Sequence, residues 1–250
     1  MDLNISEHFH SIQGEGSTAG SQAVFLRLKA CNLLCGGTMT RQDGELHNGA
    51  KWRCDTIETW IEGDSHSIQG AYDLIYRNYG QMLANGSHLI ITGGEPLLQQ
   101  EALKEFLFTW SKFSDIKIPF IEVETNGTIE PDPEFAMMVD LWNVSPKLSN
   151  SGMPKKRRIK PDALLKYAEF TRENTAIFKF VIFDQDDIIE ANEMINGFGV
   201  KKDQVYLMPA CSNMEQWNEA KQRVVELCKE FGYNFSPRLQ IAIYNQTVGV

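Results

Sequence analysis

Residues 88–127 read HLIITGGEPLLQQEALKEFLFTWSKFSDIKIPFIEVETNG, and their three-part rhythm decides the fold class. HLIIT is a short apolar, β-branched run stopped by Gly93 and Gly94, as a buried strand would be. Leu103, Phe106, Leu107 and Trp110 then recur at the intervals that stack on one helix face. PFIEVET returns to strand chemistry and stops at Asn126-Gly127. Strand, helix, strand predicts two parallel strands joined by a crossover helix.

The alternation extends outward. AVFLRLKAC, DLWNVS, AIFKFVIF and QVYLMP add four strand-like runs, six in all. Between them Ile68, Ala71, Ile75, Tyr79 and Met82 share a helical face, as do Met214, Trp217, Val224 and Cys228. An α/β protein follows. Periodicity suits an incomplete barrel and an open doubly wound sheet equally.

Composition narrows the ligand. The chain of 250 residues is 42% hydrophobic, enough for one sizeable core, so a single domain over 1–250 is expected. A formal net charge of -9 argues against gripping nucleic acid by phosphate neutralisation, and the expected ligand is small. The five cysteines are an odd count, MDLNISEHFH lacks the features of a signal peptide, and no run approaches a membrane span. The expectation is a cytoplasmic protein with reduced thiols. The basic run Lys155-Lys156-Arg157-Arg158 reads as a solvated loop, and His8 and His10 read as ordinary side chains at strand spacing.

In α/β architectures ligands gather at the carboxyl ends of the strands. Here those ends carry Cys31, then Thr92-Gly93-Gly94-Glu95-Pro96, Glu124-Thr125-Asn126-Gly127, Ser145-Pro146-Lys147, Asp184, and Met208-Pro209. Cys31, Cys35 and Cys54 bracket a polar loop. With His47 as a fourth ligand they would make a structural zinc site. Alone they can hold three irons of a [4Fe-4S] cluster and leave the fourth iron open. Cys228, and with it Cys211, reads as core.

Taken in order, FHSIQGEG, VFLRLKACNLLC, CDT, ITGGEP, VETNG, SPKLSNSG, FKFVI, LMP and the tail SPRLQIAIYNQTVGV resemble the radical S-adenosylmethionine enzymes over nearly the whole chain. Within them the motifs are most similar to the branch that contracts a carboxylated pterin. The resemblance implies a partial (β/α)6 barrel. It also implies conversion of 6-carboxy-5,6,7,8-tetrahydropterin to 7-carboxy-7-deazaguanine with loss of ammonia. Two departures stand out. The cysteines are spaced C-x3-C-x18-C rather than the usual C-x3-C-x2-C, as though a polar insertion occupied 36–51. Arg53, preceded by Trp52, stands where an aromatic residue usually lies near the adenine.

The resemblance assigns roles. Cys31, Cys35 and Cys54 would hold the [4Fe-4S] cluster, and Thr56 would bind Mg²⁺. Arg53, Asp55, Gly94, Glu95, Ser145, Pro146, Lys147, Met208 and Pro209 would receive S-adenosyl-L-methionine. Ile12, Gln13, Gly14, Glu15, Arg27, Thr92 and Val250 would form the pterin pocket, with Arg27 on a carboxylate. A homodimer and an electron donor such as flavodoxin are implied, with no nucleic acid or membrane partner. An activase that installs a glycyl radical, or a zinc-stabilised binding domain, are the rival classes. The first gives no reason for SIQGEG or Arg27.

Overall fold

The computed structural model describes residues 1–37, 46–245, 247 and 249. Its strands, in chain order, are β1 (Asp2–Ile12), β2 (Gln22–Leu28), β3 (Asp64–Ser67), β4 (His88–Gly93), β5 (Ile121–Thr125), β6 (Leu141–Val144), β7 (Ala176–Ile182), β8 (Val205–Pro209) and β9 (Asn234–Phe235). The helices are α1 (Ile57–Trp60), α2 (Ile68–Ala84), α3 (Gln100–Phe113), α4 (Pro133–Ala136), α5 (Lys155–Arg158), α6 (Pro161–Arg172), α7 (Gln185–Phe198), α8 (Met214–Phe231) and α9 (Leu239–Tyr244). Among the described residues they build one sheet in the order β3-β1-β2-β4-β5-β6-β7-β8-β9.

The six strands read from sequence are β2 and β4 to β8, and each lies parallel to its neighbour. The sheet runs from one edge strand to another, so the barrel is incomplete. β1 lies antiparallel on β2, β3 lies antiparallel on β1, and β9 extends the other edge. Sequence reasoning missed these three.

Alternation sorts the side chains. Leu26, Ile91, Val123, Trp142, Phe178 and Leu207 face the helices, joining Phe106 and Trp110 of α3 in the main core. Each such buried large apolar residue contributes about 1.5–3 kcal/mol. Met82, expected on the buried face of α2, is instead 37% exposed, and its neighbour Leu83 takes the buried place in the last turn. The opposite face carries Arg27, Thr92, Glu122, Glu124, Asn143 and Lys179, an unusually polar set for sheet interiors.

β1 serves both layers because of a bulge. Ile5 pairs with Leu28 and Glu7 with Arg27, which leaves Ser6 as the extra residue. Before it Leu3 and Ile5 join the helix-side core. After it Phe9 stacks on Phe25 at 5.0 Å, and Glu7 pairs with Arg27 at 2.7 Å. His8 and His10 face the other way and bond to Tyr79 and Ser87.

The basic run is α5 rather than a loop. Arg158 is buried, donating to the carbonyls of Met153 and Lys147 and pairing with Glu190. Among the described residues no helix is long and apolar enough to cross a membrane.

Candidate active site

β2 ends at Leu28, and the chain turns through Ala30 in the left-handed region into Cys31. Cys31, Cys35 and Cys54 come together in one patch with Leu33, Trp52 and Met153. The amide of Cys54 donates to the carbonyl of Cys35 at 3.1 Å, so the sequence separation between these two closes locally. Burial pushes the Cys31 thiol up to about 11 and the Cys35 thiol up to about 12, with Glu95 and Cys54 adding to the first and Cys54 and Cys31 to the second. Three thiols in one patch suit a cationic centre that would stabilise their deprotonated forms. Among the described residues no three His, Cys, Asp or Glu side chains converge tightly enough to clasp a single metal ion.

The turn after β4 packs against this loop. Gly94 donates to the carbonyl of Leu28 and Glu95 to that of Ala30. A Cβ on Gly94 would stand 2.1 Å from the Ala30 carbonyl oxygen and 2.7 Å from the Cys31 Cβ. Glycine is therefore required by the cysteine loop itself. Glu95 is fully buried. Its carboxylate accepts from the amides of Leu97 and Asn126 and from the Thr125 hydroxyl, at 3.1, 2.7 and 2.9 Å. Burial holds this carboxyl above its ordinary value despite those bonds. Glu95 thus joins two strand ends in this structure. Asn126 also donates to Asn32, beside Cys31.

The remaining rim residues meet at Trp52. Its indole N–H donates to Asn150 at 2.9 Å, and the Lys147 ammonium lies 6.0 Å from its ring centroid while bonding to Ser145 at 3.0 Å. Arg53 turns to Glu58 instead. Pro146, Met208 and Pro209 are buried at the ends of β6 and β8. The polar excursion is anchored at its base. Gly36 donates to the Ser151 carbonyl, Lys51 to that of Asn150, and the Lys51 ammonium pairs with Asp184 at 2.5 Å at the start of α7. Residues 38–45 of the insertion, and Val250, lie outside the described residues.

His47 packs over Gly37 and lines a cavity of about 200 Å³ with Leu34, Asn48, Met153 and Arg157. His47→Ala is expected to leave iron uptake unchanged, checked by metal analysis after anaerobic reconstitution. Loss of metal would favour zinc.

The residues expected to form a pterin pocket enter from the opposite end. Ile12 stands beside Gln22 at the start of β2, so the chain after β1 runs into the sheet interior from the end away from the cysteines. Gln13 donates to Glu124 at 3.2 Å, and Thr92 donates to the other oxygen of Glu124 at 2.8 Å. Glu15 accepts from Lys179 at 2.5 Å, Arg238 at 3.1 Å and Gln240 at 2.6 Å. Burial opposes its charge, but Lys179 and Arg238 more than offset this and hold the carboxyl at about 2. Gly14 accepts from the Leu239 amide, and Gln240 lies so close that a Cβ on Gly14 would overlap it.

Arg238 continues from Glu15 to Asp55 and to the carbonyl of Cys211. A chain of alternating charge therefore runs from Lys179 through Glu15 and Arg238 to Asp55, next to Cys54. Thr56 has its hydroxyl 3.5 Å from the Cys54 sulfur and makes no capping bond to α1. Lys179, Arg238 and Gln240 were given no role from sequence, and Glu124 was read only as part of a strand-end cluster. IEVET held a signal for Glu124 in its alternation, and Lys179 is a lone cation in the apolar run AIFKFVIF. Arg238 and Gln240 lay in the tail motif SPRLQIAIYNQTVGV with no role of their own.

No family model matches the chain. It is 31% identical over 248 residues to the 7-carboxy-7-deazaguanine synthase of Pyrobaculum aerophilum, covering 99% of this chain and 97% of that protein. The synthase of the same name from Halobacterium salinarum is 29% identical over 263 residues, covering 97% of this chain and 91% of the relative. Among solved structures, QueE from Escherichia coli superposes with a TM-score of 0.61 at 22% identity, covering 94% of this chain and 93% of that one, which is a likeness of fold.

Proposed function

The chain belongs to the 7-carboxy-7-deazaguanine synthase family, and on that footing we propose that it converts 6-carboxy-5,6,7,8-tetrahydropterin to 7-carboxy-7-deazaguanine with release of ammonia. One observation carries the reading: the cysteine patch and the polar sheet interior are parts of one site, linked through Asp55, Arg238 and Glu15.

Cys31, Cys35 and Cys54 would hold a [4Fe-4S] cluster; their shared, desolvated patch fits it. When bound, the cluster and S-adenosyl-L-methionine supply a 5′-deoxyadenosyl radical. The chain's own residues place and shield. Gly94 and Glu95 set the turn against Cys31, while Ser145, Lys147 and Trp52 form the polar and aromatic wall where the cofactor's adenosyl portion would lie. With Arg53 engaged by Glu58, Trp52 is the flat surface offered to the adenine.

On the substrate side, Glu7 engages the Nε edge of Arg27, leaving the Nη side for a carboxylate. A carboxylate can accept about four hydrogen bonds, so Glu15, accepting three, retains capacity for an N–H of the aminopyrimidinone edge. Gln13 and Thr92 fix Glu124 beside it. The segment from Gln13 to Thr18 and the tail at 236–240 exclude water from this interior. Thr56 would share a Mg²⁺ with the substrate carboxylate. A small electron carrier would supply the reducing electron.

The test is an anaerobic assay of deazaguanine formation against Mg²⁺ concentration, with 5′-deoxyadenosine followed in parallel. Thr56→Ala is expected to weaken Mg²⁺ activation while leaving iron content and substrate-free cofactor cleavage intact, since the hydroxyl caps nothing. Cofactor cleavage by wild type without any deazaguanine would defeat the substrate assignment.

A further inference from the structure

We propose that Arg238 is a positioning residue that locks the loop bearing Cys54 and Thr56 to the pterin-reading carboxylate of Glu15, so that the two halves of the site keep one geometry. The inference rests on the proposed function.

Its basis is how the guanidinium is held. Residues 236–240 are stitched to residues 14–16 on both sides of Arg238. Gly16 donates to Ser236 at 2.8 Å, Leu239 to Gly14 at 3.0 Å, and Gln240 to Glu15 at 2.6 Å. The guanidinium is 8% exposed and donates to Glu15, Asp55 and the Cys211 carbonyl, three acceptors from three separate segments. Asp55 sits between Cys54 and Thr56. Any displacement of this loop therefore breaks a part-buried, charge-assisted bond to a group fixed against the substrate pocket. Glu15 is referenced in turn to β7 through Lys179. A planar fork can serve three divergent acceptors at once, whereas a lysine ammonium is a single point on a flexible stem. Replacing Arg238 with lysine keeps the charge and loses the span.

The experiment uses holoenzyme of wild type, Arg238→Lys and Arg238→Gln. It measures iron content, thermal unfolding, the ratio of 5′-deoxyadenosine to deazaguanine, and hydrogen exchange at 54–57 with and without the carboxypterin. In wild type the pterin should slow exchange at 54–57. In Arg238→Lys iron is expected to stay, that protection to vanish, and product formation to fall by about a hundredfold with 5′-deoxyadenosine in excess, since misplacement of the order of 1 Å costs that much. Arg238→Gln serves if the lysine variant does not fold. If both variants lose iron and fold stability together, Arg238 is structural and the proposal is overturned. If they keep the wild-type ratio and protection, it is overturned as well. A wild type that neither binds nor turns over the pterin removes the underlying reading, and this proposal with it.

Discussion

Cys35→Ala is expected to bind no iron–sulfur cluster after anaerobic reconstitution and to form no product, and Cys31→Ala and Cys54→Ala to do the same. The three sulfurs share one patch, and burial raises the Cys31 and Cys35 thiols to about 11 and about 12, so neither is a thiolate at neutral pH unless a cation stabilises it. In the proposed cluster each cysteine removed takes away a ligand that the other two cannot replace. The fold should survive, because Cys35 packs as a small apolar side chain beside Leu33 and Met153 and alanine fills most of that space. Iron and sulfide per chain, visible absorption and far-UV circular dichroism separate the two effects. Any one alanine variant that retained full iron and turnover would remove that cysteine from the ligand set.

Glu15→Gln is expected to lower stability by about 3 kcal/mol at pH 7, from the fall of its carboxyl from 4.5 to about 2. The sign follows from the folded value lying below the unfolded one. The stabilisation is complete above about pH 4.5 and is lost as pH falls through about 2. The gap between wild type and variant should thus be widest at neutral pH and narrow steadily across that acid window. Urea unfolding at pH 7, 4 and 3 measures it. A gap that stayed constant with pH would mean that Glu15 stabilises by packing alone. Substrate binding should weaken in the same variant, because the amide turns a donor as well as an acceptor toward Lys179 and Arg238.

The parallel core was legible because each of its strands is apolar enough to be recognised alone, and because Leu103, Phe106, Leu107 and Trp110 leave no other helical face for α3. β3 was not, since DSHS carries no apolar residue and pairs with β1 through its backbone. Among site residues, those on contiguous motifs were found. Arg238 stood in the tail motif but received no role, because its partners Asp55 and Glu15 lie 183 and 223 residues away and a single arginine has no period. Gly94 was assigned by the resemblance to S-adenosyl-L-methionine; its close neighbours are the Ala30 carbonyl and the Cys31 side chain, a contact between segments that only folding reveals.

Ser6 gives β1 a change of phase. Counting by twos from Leu3 lands on Ile5 against the helices and then, across the bulge, on Glu7 and Phe9 toward the interior. If Ser6 took an ordinary place in the pairing instead of bulging, a single parity would run the length of the strand. Either Leu3 and Ile5 would be turned inward, or His8 and His10 would replace Glu7 and Phe9 beneath Arg27 and Phe25. The bulge thus sets which side chains form a wall of the cavity, and the way Ser6 is accommodated is as much a part of the chemistry as any residue in it.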